Sequence, residues 1–390
     1  MKTIALIIVI TTLALYSCNN TQNQNNNNNK LTNDTVIEKT IMPYDTFSYK
    51  AYDEIASFLA GKEFIDSCGT HSNLFKTNLW QNFANEFSLN WLNFEDEVLT
   101  KVSEWSSQNL NYTDTMFYPF SGPDFNYLNT FFPNTKYSVL IGLEKPGSIP
   151  DISGLSDTKL NEYLNALRSS IKYNLEYSFF RTKGMAEDLN SELIDGTIPL
   201  FLLFMKKHNY EIINVYPVSI NDKGLIIADT LNQMFNKTIA KPFDQGVAFI
   251  YKDTSENDLR ELVYFSLDIS NDSIETKKYD KFFTKYIFGN TTFLKAASYL
   301  CHRETFTIIK NHILKNSVQI ITDPSGIPLR DFNNSWNLAI HGNYVGPINL
   351  FAERLQTDLR DTCKILKNEN LPFRFGYHYT QWCLIYAQKK

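Results

Sequence analysis

Three carboxylates stand beside tight turns in this chain. Asp124 ends Ser121-Gly122-Pro123-Asp124, Glu144 precedes Pro146-Gly147, and Asp323 opens Asp323-Pro324-Ser325-Gly326-Ile327-Pro328. Two carboxylates at a suitable separation can serve as acid and as base or nucleophile, the chemistry of glycan hydrolysis. Asp124, Glu144 and Asp323 are therefore the candidate catalytic residues of a hydrolase acting on glycan or peptide. Ser121 and Ser325 each adjoin a glycine, and His341 ends a strand-like run, so a serine, a histidine and an aspartate are also available. No spacing rule selects such a set, because triads are defined by geometry. Each carboxylate has a plainer reading as well: Asp124 can cap a helix, and Glu144 can sit in a solvated loop.

The motifs that carry well-defined chemistry are missing. There is no GxSxG elbow, no GxxxxGK[ST] phosphate loop, no HExxH pair and no GxGxxG. The six histidines, His71, His208, His302, His312, His341 and His378, show no metal-ligand spacing. No cofactor and no metal is assigned on these grounds.

The elements that must position the carboxylates are two apolar runs, Thr115–Phe120 and Lys136–Leu143, separated by a short aromatic segment, Phe125–Phe132. Each run delivers a carboxylate just past its end, where α/β sheets tend to place sites. Upstream, Tyr52–Ala60, Asn73–Phe87 and Leu89–Trp105 read as helices, the last two carrying aromatic residues at three- and four-residue steps. Downstream, helices are expected over Thr158–Tyr173, Leu175–Leu189 and Leu200–His208. Two hairpins follow, Pro217–Ile220 with Leu225–Ala228 and Val247–Lys252 with Leu262–Leu267. Tyr279–Ile287, Thr292–His302 and Glu304–Lys315 read as helices, and Gln319–Thr322 and Trp336–Gly342 as strands. Pro347 opens a long amphipathic helix, Ile348–Lys367, with Leu355, Leu359 and Ile365 inward. Pro372–Gly376 and Trp382–Gln388 read as closing strands. The fold class expected is α/β: a mixed sheet with antiparallel hairpins flanked by helices, and a helical N-terminal portion.

The N-terminus has a different character. Lys2 precedes the apolar run Ile4–Tyr16, which is short for a bilayer span and of signal-peptide length. It ends in Leu15-Tyr16-Ser17-Cys18, which resembles the lipobox of bacterial lipoproteins, although Tyr16 stands where a small residue is usual. The resemblance implies removal of residues 1–17 and lipidation of Cys18 with diacylglyceryl and acyl chains such as palmitate. More than one chain on one residue makes a stable anchor. Residues 18–35 are asparagine-rich and too polar to bury a core, and they read as a tether. Residues 36–390 then form a single globular domain. The expected partner is a membrane of the bacterial cell envelope, inner or outer, with an envelope glycan or protein as a possible second partner. The net charge of −5 and the lack of a basic stripe argue against nucleic acid. Cys68, Cys301, Cys363 and Cys383 form no CxxC or zinc pattern, so either disulfides or buried thiols are open.

Two further resemblances concern the body. The strand–turn–short helix–strand unit around Gly122, with Glu144 beyond its second strand, resembles the first half of a Rossmann-like methyltransferase. There the glycine turn cradles the cofactor and the acid binds a ribose hydroxyl. Here the turn holds one glycine and is followed by Pro123. From about Tyr112 onward the chain also resembles a group of uncharacterised secreted bacterial proteins with SGPDF and SGIP segments and an LPFxFGY ending, here Leu371–Tyr377. That resemblance implies no activity. The function expected is that of a lipid-anchored envelope protein of binding or assembly type, with the anchored hydrolase as the alternative.

Overall fold

The computed structural model describes residues 48–64, 69, 73–180, 189, 194–229, 245–254 and 258–390. The signal-peptide and tether expectations, with Cys18 and Cys68, lie outside the described residues, as does most of the expected helix Leu175–Leu189.

Among the described residues, ten strands form one mixed sheet. In chain order they are β1 (Thr115–Tyr118), β2 (Tyr137–Gly142), β3 (Tyr210–Ile220), β4 (Ile226–Ala228) and β5 (Gln245–Asp253). The second five are β6 (Leu259–Ser266), β7 (Thr291–Leu294), β8 (Gln319–Thr322), β9 (Trp336–Gly342) and β10 (Cys383–Lys389). Their order across the sheet is β4-β3-β5-β6-β2-β1-β7-β8-β10-β9. The five central strands β6, β2, β1, β7 and β8 are all parallel. The hairpins β3–β4 and β5–β6 add antiparallel strands on one side, and β10 runs antiparallel between β8 and β9 on the other.

The central strands carry apolar, buried runs: Val139-Leu140-Ile141 in β2 and Ile320-Ile321 in β8 have no polar side. Such runs fit strands covered on both faces. Side chains alternate between those faces. Met116 and Tyr118 of β1 join the larger core under the helices, whereas Phe117 between them meets Phe283 on the other face, ring centroids 6.1 Å apart.

Ten α-helices flank the sheet among the described residues. The N-terminal portion holds α1 (Ser48–Leu59), α2 (Asn78–Phe94) and α3 (Thr100–Asn109). Thr77, whose hydroxyl accepts from Trp80 N at 3.2 Å, caps α2. Its stripe of Trp80, Phe83, Phe87, Trp91 and Phe94 is buried. The two expected helices are not split near Ser88; the chain runs on to Phe94 and makes one π turn, Glu95–Leu99, before α3. α4 (Phe125–Phe131) crosses from β1 to β2, and α5 (Asp157–Tyr177) and α6 (Ile198–Lys207) precede β3. α6 is apolar all round, IPLFLLFMKK, and is accordingly inside. α7 (Asn271–Lys277), α8 (Asp280–Ile287), α9 (Thr307–Asn316) and α10 (Thr357–Leu366) complete the set.

Three expectations are corrected. Thr292–His302 is not a helix: Thr291–Leu294 is β7, filling the gap between β1 and β8, and a loop follows. Its β-branched Thr-Thr start suits a strand, and the local pattern hid it. The long helix Ile348–Lys367 is broken into a 3-10 segment, Asn349–Arg354, and α10. Gln356 causes the break. Its side chain donates to Pro324 O at 2.8 Å and accepts from Leu329 N at 3.0 Å, holding its backbone extended. Leu359 is buried as expected, but Leu355 and Ile365 turn outward, Ile365 80% exposed. Finally, Pro372–Gly376 pairs with no strand among the described residues. Phe373 and Phe375 alternate because they insert into the core against Phe131.

Candidate binding crevice

From β1 the chain extends to β2 and β6 on one side and to β7 and β8 on the other. The loops at the carboxyl ends of β1 and β7 therefore diverge, which opens a crevice where doubly wound sheets take ligands. A cavity of about 180 Å³ lies there. It is lined by Phe120, Ser121, Gly122 and Asp124 after β1, and by Ile141–Glu144 at the end of β2. Leu267–Ile269 after β6 and Lys295–Ser298 after β7 close it, with Phe179, Phe180, Phe306 and Tyr377 around the mouth. The lining is mostly apolar, with a few polar groups, the usual make-up of a small-molecule site.

Asp124 occupies the N-cap position of α4 yet makes no cap hydrogen bond. Its side chain turns inward instead. Lys295 Nζ lies 2.8 Å from Oδ2, Tyr118 Oη donates to Oδ2 at 2.9 Å, and Asn174 Nδ2 donates to Oδ1 at 3.3 Å. The ion pair is fully buried. Lys295 also donates to Ser178 O and stands 3.8 Å from the centroid of the Tyr127 ring. Burial pulls the Lys295 amine below its usual range, and the Asp124 carboxylate opposes that pull.

Glu144 is half-buried at the mouth, and burial raises its carboxyl above the usual value. Its main-chain oxygen accepts from Tyr264 Oη at 2.7 Å. Asp124 and Glu144 thus border one cavity. Asp323 does not; it lines a smaller neighbouring one with Tyr299, Tyr344 and Cys383. Asp323 Oδ1 accepts from Ala296 N at 3.2 Å and from Ser325 Oγ at 2.8 Å. Ser325 Oγ in turn accepts from Ala297 N at 2.8 Å. Burial pushes the Asp323 carboxyl up to about 6, against these hydrogen bonds and the Lys295 charge. The two turn motifs are therefore joined through one loop: SGPD through Lys295, DPSGIP through Ala296 and Ala297.

That loop is strained. Ala296, Ser298 and Tyr299 have φ of 54°, 53° and 56°, and Phe120 opposite has 59°. Non-glycine residues held there cost roughly 1–3 kcal/mol each and cluster where a site must be fixed in shape. Tyr377 helps hold it, its Oη donating to Ala296 O at 2.6 Å and pairing with Ser298 Oγ at 2.7 Å.

The serine–histidine–aspartate set is not gathered into one arrangement by these contacts. Ser121 Oγ donates to Gly122 O at 2.8 Å, Ser325 serves Asp323, and His341 sits on edge strand β9 against Trp105, ring centroids 4.9 Å apart. Lys295, Tyr118 and Asn174 were not marked by sequence. Lys295 fell inside the misread helix; the Thr-Thr-Phe-Leu run after Gly289-Asn290 was the available signal. No group of three or more metal-ligating side chains occurs among the described residues. No family model, no curated protein and no solved structure matches the chain.

Proposed function

We propose that the body is the ligand-binding part of a lipid-anchored cell-envelope protein, and that its crevice takes a small molecule of nucleoside type. One observation carries the binding reading: the cavity sits at the switch point of the parallel strands with a carboxylate, Glu144, just past the second of them. There the carboxylate can accept from ribose hydroxyls, while Phe120, Ile141, Leu267 and Ile269 offer apolar contact to a base. Size limits the ligand. An engineered apolar cavity of about 150 Å³ holds benzene, so this one encloses a single heterocycle or sugar, with the rest of a larger ligand outside. The resemblance to Rossmann-like methyltransferases makes S-adenosylmethionine the first ligand to test. The residues present suit its nucleoside end, through Glu144 and the apolar wall.

The hydrolase alternative has one observation in its favour, that Asp124 and Glu144 border the same cavity. Against it, Asp124 is held by an ammonium, a phenol and an amide, which leaves it poorly placed to take or give a proton. Thermal-shift screening of the purified protein against nucleosides and nucleotides, with product analysis after incubation with cell-wall oligosaccharides, separates the readings. Stabilisation by the nucleoside class supports the binding reading, and turnover of an oligosaccharide opposes it.

The anchor rests on the lipobox resemblance at Leu15–Cys18. Cys18→Ser is expected to release the protein from the membrane fraction; unchanged retention would count against lipidation.

A further inference from the structure

Away from the crevice, α10 packs on the β10 side of the sheet. Cys363 of α10 and Cys383 of β10 share a small apolar cluster with Tyr344, Leu359 and Ile385. Both are free, buried thiols within that one cluster. A second feature lies beside them. Cys363 forms part of the wall of a surface cavity of about 410 Å³, which is also bordered by Arg360, Lys364 and Lys367. Asp361 offsets part of that charge, its Oδ1 lying 3.3 Å from Lys364 Nζ and 3.6 Å from Arg360 Nε. All three charged side chains that line the cavity are cations, which leaves it electropositive. Electropositive surroundings favour the thiolate, and this cavity is the route by which a disulfide would reach the otherwise buried Cys363 sulfur.

We propose that Cys363 and Cys383 are a redox-active pair: Cys363 attacks a small anionic disulfide entering the cationic cavity, and Cys383 resolves the adduct. In the first step the Cys363 thiolate bonds to one sulfur of the disulfide and expels the other half as a thiolate. In the second, the Cys383 thiol gives up its proton and attacks the Cys363 sulfur, expelling the remaining half. Two protein thiols are oxidised to one disulfide and one small disulfide is reduced to two thiols. The order of attack follows the local chemistry. Interaction with the Cys383 thiol pulls the Cys363 thiol down to about 7, and the same interaction together with burial pushes Cys383 up. Such asymmetry, a reactive sulfur beside a resolving one, is the pattern of redox-responsive cysteines. Cys301 provides an internal control. It is buried without a thiol partner in that cluster, and burial raises it to about 12.

The test uses the native full chain exposed to oxidised glutathione, quenched in acid, alkylated and peptide-mapped. The wild type is expected to yield a Cys363–Cys383 linked peptide, with Cys301 unmodified until the protein is unfolded. Cys383→Ser is expected to trap glutathione on Cys363, and Cys363→Ser to take up none on Cys383. Replacing Lys364 and Lys367 with Gln is expected to slow the reaction severalfold with glutathione disulfide but not with a neutral disulfide. Native wild-type protein whose Cys363 and Cys383 both stay reduced would overturn the proposal, whatever the variants do. So would glutathione found on Cys383 in the Cys363→Ser protein.

Discussion

Lys295 Nζ lies 2.8 Å from Asp124 Oδ2, and this buried pair fastens the loop after β1 to the loop after β7. The same β7 loop hangs from Asp323 through Ala296 N. The crevice therefore keeps its shape through charge-assisted contacts within its wall as well as through packing.

Removing one member of the pair strands the other charge. Asp124→Ala and Lys295→Met are each expected to destabilise the protein by about 3–5 kcal/mol, since breaking a buried ion pair leaves an uncompensated charge. The double variant should lose less than the sum of the two by at least about 1 kcal/mol, because the sites are in contact. Urea unfolding of the four proteins measures this. Strict additivity would mean the pair does not couple the loops.

Two buried groups make stability depend on pH in opposite directions. His208 is enclosed by Trp91 and Phe125, with Nε2 3.2 Å from Asn126 Oδ1. Burial lowers it from 6.5 to about 3. The unfolded chain then binds a proton that the native state refuses, so stability falls as pH drops from 6.5 toward 3. The full span corresponds to about 5 kcal/mol. Asp323 is raised from 3.8 to about 6, so its native form holds a proton longer, and stability falls as pH rises through that window, by about 3 kcal/mol. Unfolding measured from pH 4 to 6 should show His208→Gln with a flat or falling profile. Asp323→Asn should rise more steeply with pH than the wild type.

Gly376 is one of the positions where glycine is required for a local reason. Gly376 has φ of +77°, and a Cβ there would stand 2.3 Å from Asp323 Oδ2 and 2.9 Å from Asp323 Cβ. Gly154 has φ of +70° but nothing within 4 Å. Gly376→Ala should therefore cost clearly more than Gly154→Ala, roughly 3 kcal/mol or more against about 1. Equal losses would show that Gly376 is needed for its backbone angle alone.

The α/β class, both hairpins and the strands bearing Asp124 and Glu144 were legible because their signals are local. Gly224 in Asn221-Asp222-Lys223-Gly224 marks a turn, and Val139-Leu140-Ile141 marks a buried strand without reference to anything distant. The parallel order was not legible. β7 is four residues long, and its neighbours β1 and β8 lie far away in sequence for β1 and across α9 for β8. A run that short fits a helix as well as a strand, and only the vacancy beside β1 decides. The partners of Asp124 were hidden for the same reason: Lys295 and Asn174 meet it only once the sheet has closed. Gln356 broke a good helical pattern through contacts to Pro324 and Leu329 that no periodicity records.

The crevice is tested most directly by calorimetric titration of the purified protein with S-adenosylmethionine, adenosine and 2′-deoxyadenosine, repeated on Glu144→Ala. The account predicts saturable binding of at least one ribonucleoside ligand. It also predicts weaker binding of the deoxy form, and a loss of about tenfold or more in Glu144→Ala, about 1.4 kcal/mol. No binding of any of the three, or binding that is indifferent to both the 2′-hydroxyl and Glu144, would contradict it.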